Sequence, residues 1–194
     1  MKTKGGVVIY RRIEDVKDTI VVFRPTYNEN GDMTEIFFLE DGELKRALDR
    51  RAIKTSRQSL ARSFNLDLAA QGQELKKLLH RKFPLPFYLP DGRVFIPLKM
   101  RIPTVIGDKT YGYAELSQIK SVRRINDQVK LILYIGAEIP VYSTATAAYN
   151  SINLGKEVWD HAADKIRDEQ DKVLDALSIL LDKIYKIERI LDKY

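Results

Sequence analysis

Apolar residues recur at alternating intervals of three and four near the end of the chain, at Trp159, Ala163, Ile166, Val173, Leu177, Leu180, Ile184, Ile187 and Leu191, with Gln170 the one polar member of the series. That spacing predicts a long helix with a coiled-coil seam. In heptad register Ala163, Gln170, Leu177, Ile184 and Leu191 share one seam position, and Trp159, Ile166, Val173, Leu180 and Ile187 the other. Leu174 and Leu181 flank the seam on one side and Ala176 and Ile190 on the other, so the stripe is wider than a two-stranded zipper requires. Two arrangements fit that width: a coiled coil partly buried against the rest of the chain, or a bundle of more helices. Self-association is expected, because docking the whole seam within one chain needs a very long complementary groove.

Upstream, the pattern is that of short strands. Gly6 to Arg11, Thr19 to Arg24 and Glu35 to Leu39 are β-branched and aromatic runs, and the turn-rich stretch Asn28 to Asp32 makes the last two a hairpin. Asp41-Gly42 marks another turn, after which Leu44 to Arg57 is strongly basic and carries no clear periodicity. A helix is expected over Leu66 to Lys82, with Leu68, Leu75, Leu78 and Leu79 on one face, ended by Pro84 and Pro86. Further strands are expected at Phe87–Leu89, Val94–Leu98, Thr110–Tyr113, Ile119–Arg123, Val129–Ile135 and Glu138–Val141, separated by the turns Pro90-Asp91-Gly92, Gly107-Asp108 and Asn126-Asp127. Ser143 or Thr144 is expected to cap a short helix through Tyr149, with Gly155 separating it from the long terminal helix. The fold class is α+β, mostly antiparallel, with a basic domain over 1–155 and a helical oligomerisation arm over 156–194.

Charge adds an asymmetry that the strands alone do not carry. The net charge of +6 is unevenly spread: residues 45–130 hold nineteen basic and seven acidic groups, whereas 1–44 and 156–194 are mildly acidic. Such a segment suggests a phosphate backbone as partner; a solvated Lys/Arg-rich surface is the plainer alternative. The densest cluster is Arg50, Arg51, Lys54, Arg57 and Arg62, interleaved with Thr55, Ser56, Gln58 and Ser59, a mixture that suits phosphate contact with some readout. Lys99, Arg101, Lys109, Lys120, Arg123 and Arg124 sit in or beside the expected hairpins, where cations also serve as ordinary solvent-face and edge-strand residues. Arg81 and Lys82 also fit the last turn of a helix, complementing its dipole. Phe83, Phe87, Tyr88, Tyr111 and Tyr113 are expected to pack in the core rather than stack on bases.

With no cysteine and only His80 and His161, the chain offers no thiolate metal site, and no cofactor is expected. His161 has Glu157, Asp160 and Asp164 at helical spacing, which reads as a solvated ion-pair face. There is no nucleophile motif and no Walker or Rossmann glycine pattern, so catalysis is not expected. No run is long and apolar enough to span a bilayer, and MKTKGGVVIYRR lacks the features of a signal peptide; a cytoplasmic location is expected.

The order TIVVFRP, EIFFLEDG, RRAIKTSRQSLARSF, KFPLPFYLPDGRVFIPLK, YGYAELSQIKSV and VKLILYIGAEIPVYS resembles the competence transcription factors of the ComK type. VFIPLKMR followed by YGYAELSQIKSV and an IPV strand also resembles the LytTR DNA-binding domain, in which an arginine-bearing strand precedes a similar segment and a final hairpin. The resemblance covers about residues 7–155. It implies a DNA-binding transcriptional regulator and, from the competence factors, AT-rich sites approached partly through the minor groove. Lys99 and Arg101 are the residues to which the LytTR-like role transfers; Glu115 stands in the neighbourhood of that family's asparagine. The expectation is thus a sequence-specific regulator of double-stranded DNA acting as a homo-oligomer, a dimer in the first instance. The alternative is a structural or scaffold protein that assembles through the same helix and offers its basic face to another polyanion or an acidic protein.

Overall fold

A computed structural model describes residues 9–28, 31–82 and 84–191, except the side chains at 28, 169 and 186–191. The expected strand at Gly6 to Arg11 falls mostly outside these residues; within them Tyr10 makes one parallel bridge to Leu48. The chain divides into two compact units, Met1–Trp159 and Asp160–Tyr194. The class is α+β, with antiparallel sheets and a long C-terminal helix.

The first unit is built on a six-stranded sheet of β1 (Ile20–Asn28), β2 (Gly31–Glu40), β3 (Glu43–Asp49), β4 (Phe87–Tyr88), β5 (Val94–Lys99) and β6 (Tyr111–Glu115), in the spatial order β3-β2-β1-β6-β5-β4. Asp41 and Gly42 close the β2–β3 hairpin with φ of 54° and 75°, left-handed values that suit a two-residue turn between right-twisted strands. The basic stretch without periodicity resolves into β3 followed by α1 (Ile53–Arg62). α2 is shorter than expected, Leu68–Leu78. Asp67 caps its start by accepting from the Ala69 and Ala70 amides, and His80, at φ 46°, turns the chain out of the helix. Arg81 and Lys82 therefore lie beyond the helix, and Lys76 and Lys77 hold its last turn.

Register assigns the two faces of the sheet. Phe23, Tyr113 and Pro97 are direct partners on one face, and Val22, Ala114 and Ile96 on the other. The first face carries Phe23, Phe87, Phe95 and Tyr113 as a ring cluster, with Phe23–Tyr113 and Phe87–Phe95 centroids each 5.2 Å apart, and packs with Ile13 and Val16 of a 3₁₀ turn and with Ile53 and Leu60 of α1. Phe87, Tyr88 and Tyr113 are thus core residues, as expected; Phe83 lies outside the described residues and Tyr111 is exposed. A second, three-stranded sheet follows: β7 (Ile119–Ile125), β8 (Gln128–Leu133) and β9 (Glu138–Val141).

Gly155 does not separate two helices. α3 runs unbroken over Ala145–Leu191, 47 residues or about 70 Å. Thr144 caps it as expected, its hydroxyl accepting from the Ala147 amide at 3.1 Å. The glycine is there for contact: a Cβ at 155 would stand 2.3 Å from Cγ2 of Ile96, so the helix can lie against β5 only where no side chain intervenes. The Ser151 hydroxyl, which donates to the Pro97 carbonyl at 2.6 Å, marks the same seam. Ala148, Ser151, Gly155 and Val158 form a buried stripe of mostly small residues at spacings of three and four, distinct from the later apolar series. The boundary expected at 155/156 falls inside this helix. Among the described residues no helix is long and apolar enough to cross a membrane.

Candidate nucleic-acid interface

The junction between β3 and α1 sorts the basic cluster into cations held within the fold and cations that face outward. Asp49, buried at the end of β3, accepts from the amides of Ile13 and Arg51, both at 3.0 Å. The Arg51 guanidinium clasps Asp49 through Nε at 2.9 Å, reaches Glu14 in the 3₁₀ turn, and donates to the Ser59 hydroxyl at 2.9 Å. Burial pushes the Asp49 carboxyl up, but Arg51 and the two amides outweigh it and hold it below the usual range. The Arg51 hydrogen bond likewise holds Glu14 down, and both carboxylates push the guanidinium up. Arg51 thus ties α1 to the first turn of the domain.

Arg57 is also taken up inside the fold. Its guanidinium lies 5.2 Å from the Phe87 ring centroid and 5.0 Å from that of Tyr113, and donates to the Tyr113 hydroxyl at 2.7 Å. What remains outward on α1 is Lys54, Gln58 and Arg62, spaced four residues apart on one exposed stripe beside Thr55. No acidic residue occurs between Asp49 and Asp67. Arg50 is exposed, stacked at 4.7 Å over the Tyr10 ring, and lines an open groove of about 700 Å³ with Arg11 and Arg12. Asp15 and Asp49 enter the same groove, and Arg11 pairs with Glu40, which leaves Arg12 and Arg50 as its outward cations.

The second group lies at the base and tip of the β5–β6 loop. Arg101 is only 7% exposed: it pairs with Asp32 at 2.7 Å and Asp108 at 3.6 Å, and packs 4.1 Å from the Tyr27 ring centroid. Asp108 also accepts from the amides of Thr104 at 2.6 Å and Val105 at 2.9 Å, and a hydrogen bond from the Tyr27 hydroxyl holds its carboxyl low. The arginine therefore braces the loop. Lys109 is exposed, and Lys99 is half-buried opposite Tyr111 in the β5–β6 ladder. Lys120, Arg123 and Arg124 are exposed on β7. Glu115 is buried, on the same face as its ladder partner Phe95, and desolvation raises its carboxyl.

Of the expected site residues, then, Arg50, Lys54, Arg62 and Lys109 are outward, Lys99 is half-buried, and Arg51, Arg57 and Arg101 are engaged by groups of the same chain. Sequence reading missed Arg12 as a neighbour of Arg50; the Tyr10–Leu48 bridge that brings them together has no local signal. On α3, Ala163 and Ile166 are half-covered, whereas Trp159, Val173, Leu177, Leu180 and Ile184 are each at least 50% exposed. Leu174 and Leu181 are exposed as well, and the Ile187 and Leu191 side chains lie outside the described residues. No protein-family model, curated protein or solved structure matches the chain.

Proposed function

We propose that the chain is a sequence-specific DNA-binding transcriptional regulator that acts as a homo-oligomer through α3. The observation that carries the reading is the exposed stripe Lys54–Gln58–Arg62 on a helix without a single carboxylate, continued by Arg50. Among the described residues none of these cations is in an ion pair, so they can neutralise phosphates at no cost in broken ion pairs, and the amide and hydroxyl groups of Gln58 and Thr55 between them add uncharged hydrogen bonding. A preference for AT-rich sites follows from the likeness to the competence factors alone. The oligomer rests on the exposed leucines and isoleucines of α3, since an aliphatic stripe of this length left in water invites a matching one.

Selection of bound duplexes from a random pool, followed by fluorescence anisotropy across a salt series, tests the reading. The expected result is enrichment of a common motif and an affinity that falls linearly on logarithmic axes with salt, by about 0.9 per phosphate neutralised. A chain that assembles but retains no duplex at low salt is instead a scaffold whose basic surface serves an acidic protein.

A further inference from the structure

Lys99 and Tyr111 are direct partners across the β5–β6 ladder, so their side chains leave the sheet on the same face. Together with Arg81, from the segment after α2, Ser143, just before α3, and Ser151, in its second turn, they line a cleft of about 90 Å³. That is room enough for one tetrahedral oxyanion. No carboxylate lines the cleft, in contrast to the groove beside Arg50. Among the described residues no ion pair or side-chain hydrogen bond engages Arg81 or Lys99. An anion seated among these residues would meet two cations and no carboxylate.

The walls are fixed before any ligand arrives. The Tyr142 amide donates to the Lys99 carbonyl at 2.7 Å, and the Ser151 hydroxyl donates to the Pro97 carbonyl, which joins the start of α3 to β5 on either side of the cleft. Donors available to an anion are the guanidinium of Arg81, the ammonium of Lys99 and the hydroxyls of Tyr111 and Ser143. The positive end of α3 adds to the same field.

We propose that this cleft binds a phosphate group, supplied either by a small phosphoryl compound or by the backbone of a bound duplex. The site stands independently of the DNA-binding reading. Its test compares thermal unfolding of the full chain in about 10 mM inorganic phosphate and in chloride at matched ionic strength. Phosphate should raise the melting temperature of the wild type, of Lys99→Arg and of Lys172→Gln, an exposed α3 control with the same charge loss as Lys99→Gln. In the double variant Arg81→Gln/Lys99→Gln the affinity for phosphate should fall at least tenfold.

Anisotropy with a short duplex separates the sources. If the backbone is the source, the double variant flattens the salt slope by up to about 0.9 per protomer, one phosphate's worth, and phosphate competes with the duplex. An unchanged slope alongside lost phosphate binding assigns the cleft to a free phosphoryl ligand. Two outcomes overturn the proposal: a phosphate effect that survives in the double variant, or the absence of any such effect together with an unchanged slope. If the wild type binds no duplex, the DNA-binding reading fails and the phosphate comparison alone decides the cleft.

Discussion

Arg57 and Arg62 are five residues apart on α1 and have opposite prospects. Arg57 lies against two core rings and is hydrogen-bonded to one of them, so Arg57→Gln should cost about 1–3 kcal/mol in urea unfolding and leave the salt slope of DNA binding alone. Arg62 is exposed, so Arg62→Gln should leave stability unchanged and flatten the slope by up to about 0.9 per protomer. A flattened slope for the first variant, or none for the second, would exchange the roles of the two arginines. A second test at this scale concerns Glu115, whose folded-state pKa is raised by desolvation. A carboxyl of that kind is neutral at no penalty below its unfolded pKa of about 4.3, and stability declines as pH rises from there through the folded pKa. Glu115→Gln, which can still accept the Ser117 hydroxyl, should therefore be more stable than wild type at pH 7, with the difference shrinking towards pH 4. Equal stability at both pH values in urea titrations would sink the idea.

Elements were legible in the sequence where a local rule governs them. The hairpins at Asp41-Gly42 and Asn126-Asp127 could be read because these residue types tolerate the positive φ that the turns adopt. β3 and α1 were not legible, because basic residues occupy the outward positions of both and blur either period. The site was harder still to read. Arg51 meets Glu14 across 37 positions and Arg57 meets Tyr113 across 56, so composition counted as free two cations that tertiary contacts consume. Gly155 misled for a related reason: glycine read alone signals a break, and only the spacing Ala148, Ser151, Gly155, Val158 hints at a packing seam. The glycine supports its own prediction. Gly155→Ala should gain about 1 kcal/mol in helix propensity but force a methyl into the Ile96 side chain, which is β-branched and fully buried and cannot swing away. The net effect should be destabilising, with overpacking of about 1–3 kcal/mol exceeding the gain. A variant more stable than wild type in urea would mean that α3 does not lie against β5.

At the scale of the whole molecule, the self-association and the DNA binding proposed above would meet in α3. Leu180 is 55% exposed within one chain, as its seam neighbours Leu177 and Ile184 are at 50%. A charge there costs an isolated chain little, whereas between apolar helices it costs several kcal/mol, in the range of about 2–7 for an unpaired polar group. Leu180→Asp should therefore leave the unfolding of the sheet domain unchanged while sedimentation at micromolar concentration shows a monomer of 22.4 kDa. DNA binding should follow the mass. In a dimer each protomer contributes its own phosphate contacts to one duplex, so the salt slope of the complex should fall by about half on dissociation, and affinity for paired half-sites should fall more than affinity for a single one, because tethering no longer raises the second domain's effective concentration. An unchanged mass would mean that the seam does not join chains; a reduced mass with undiminished preference for paired half-sites would mean that it joins them for a purpose other than reading DNA.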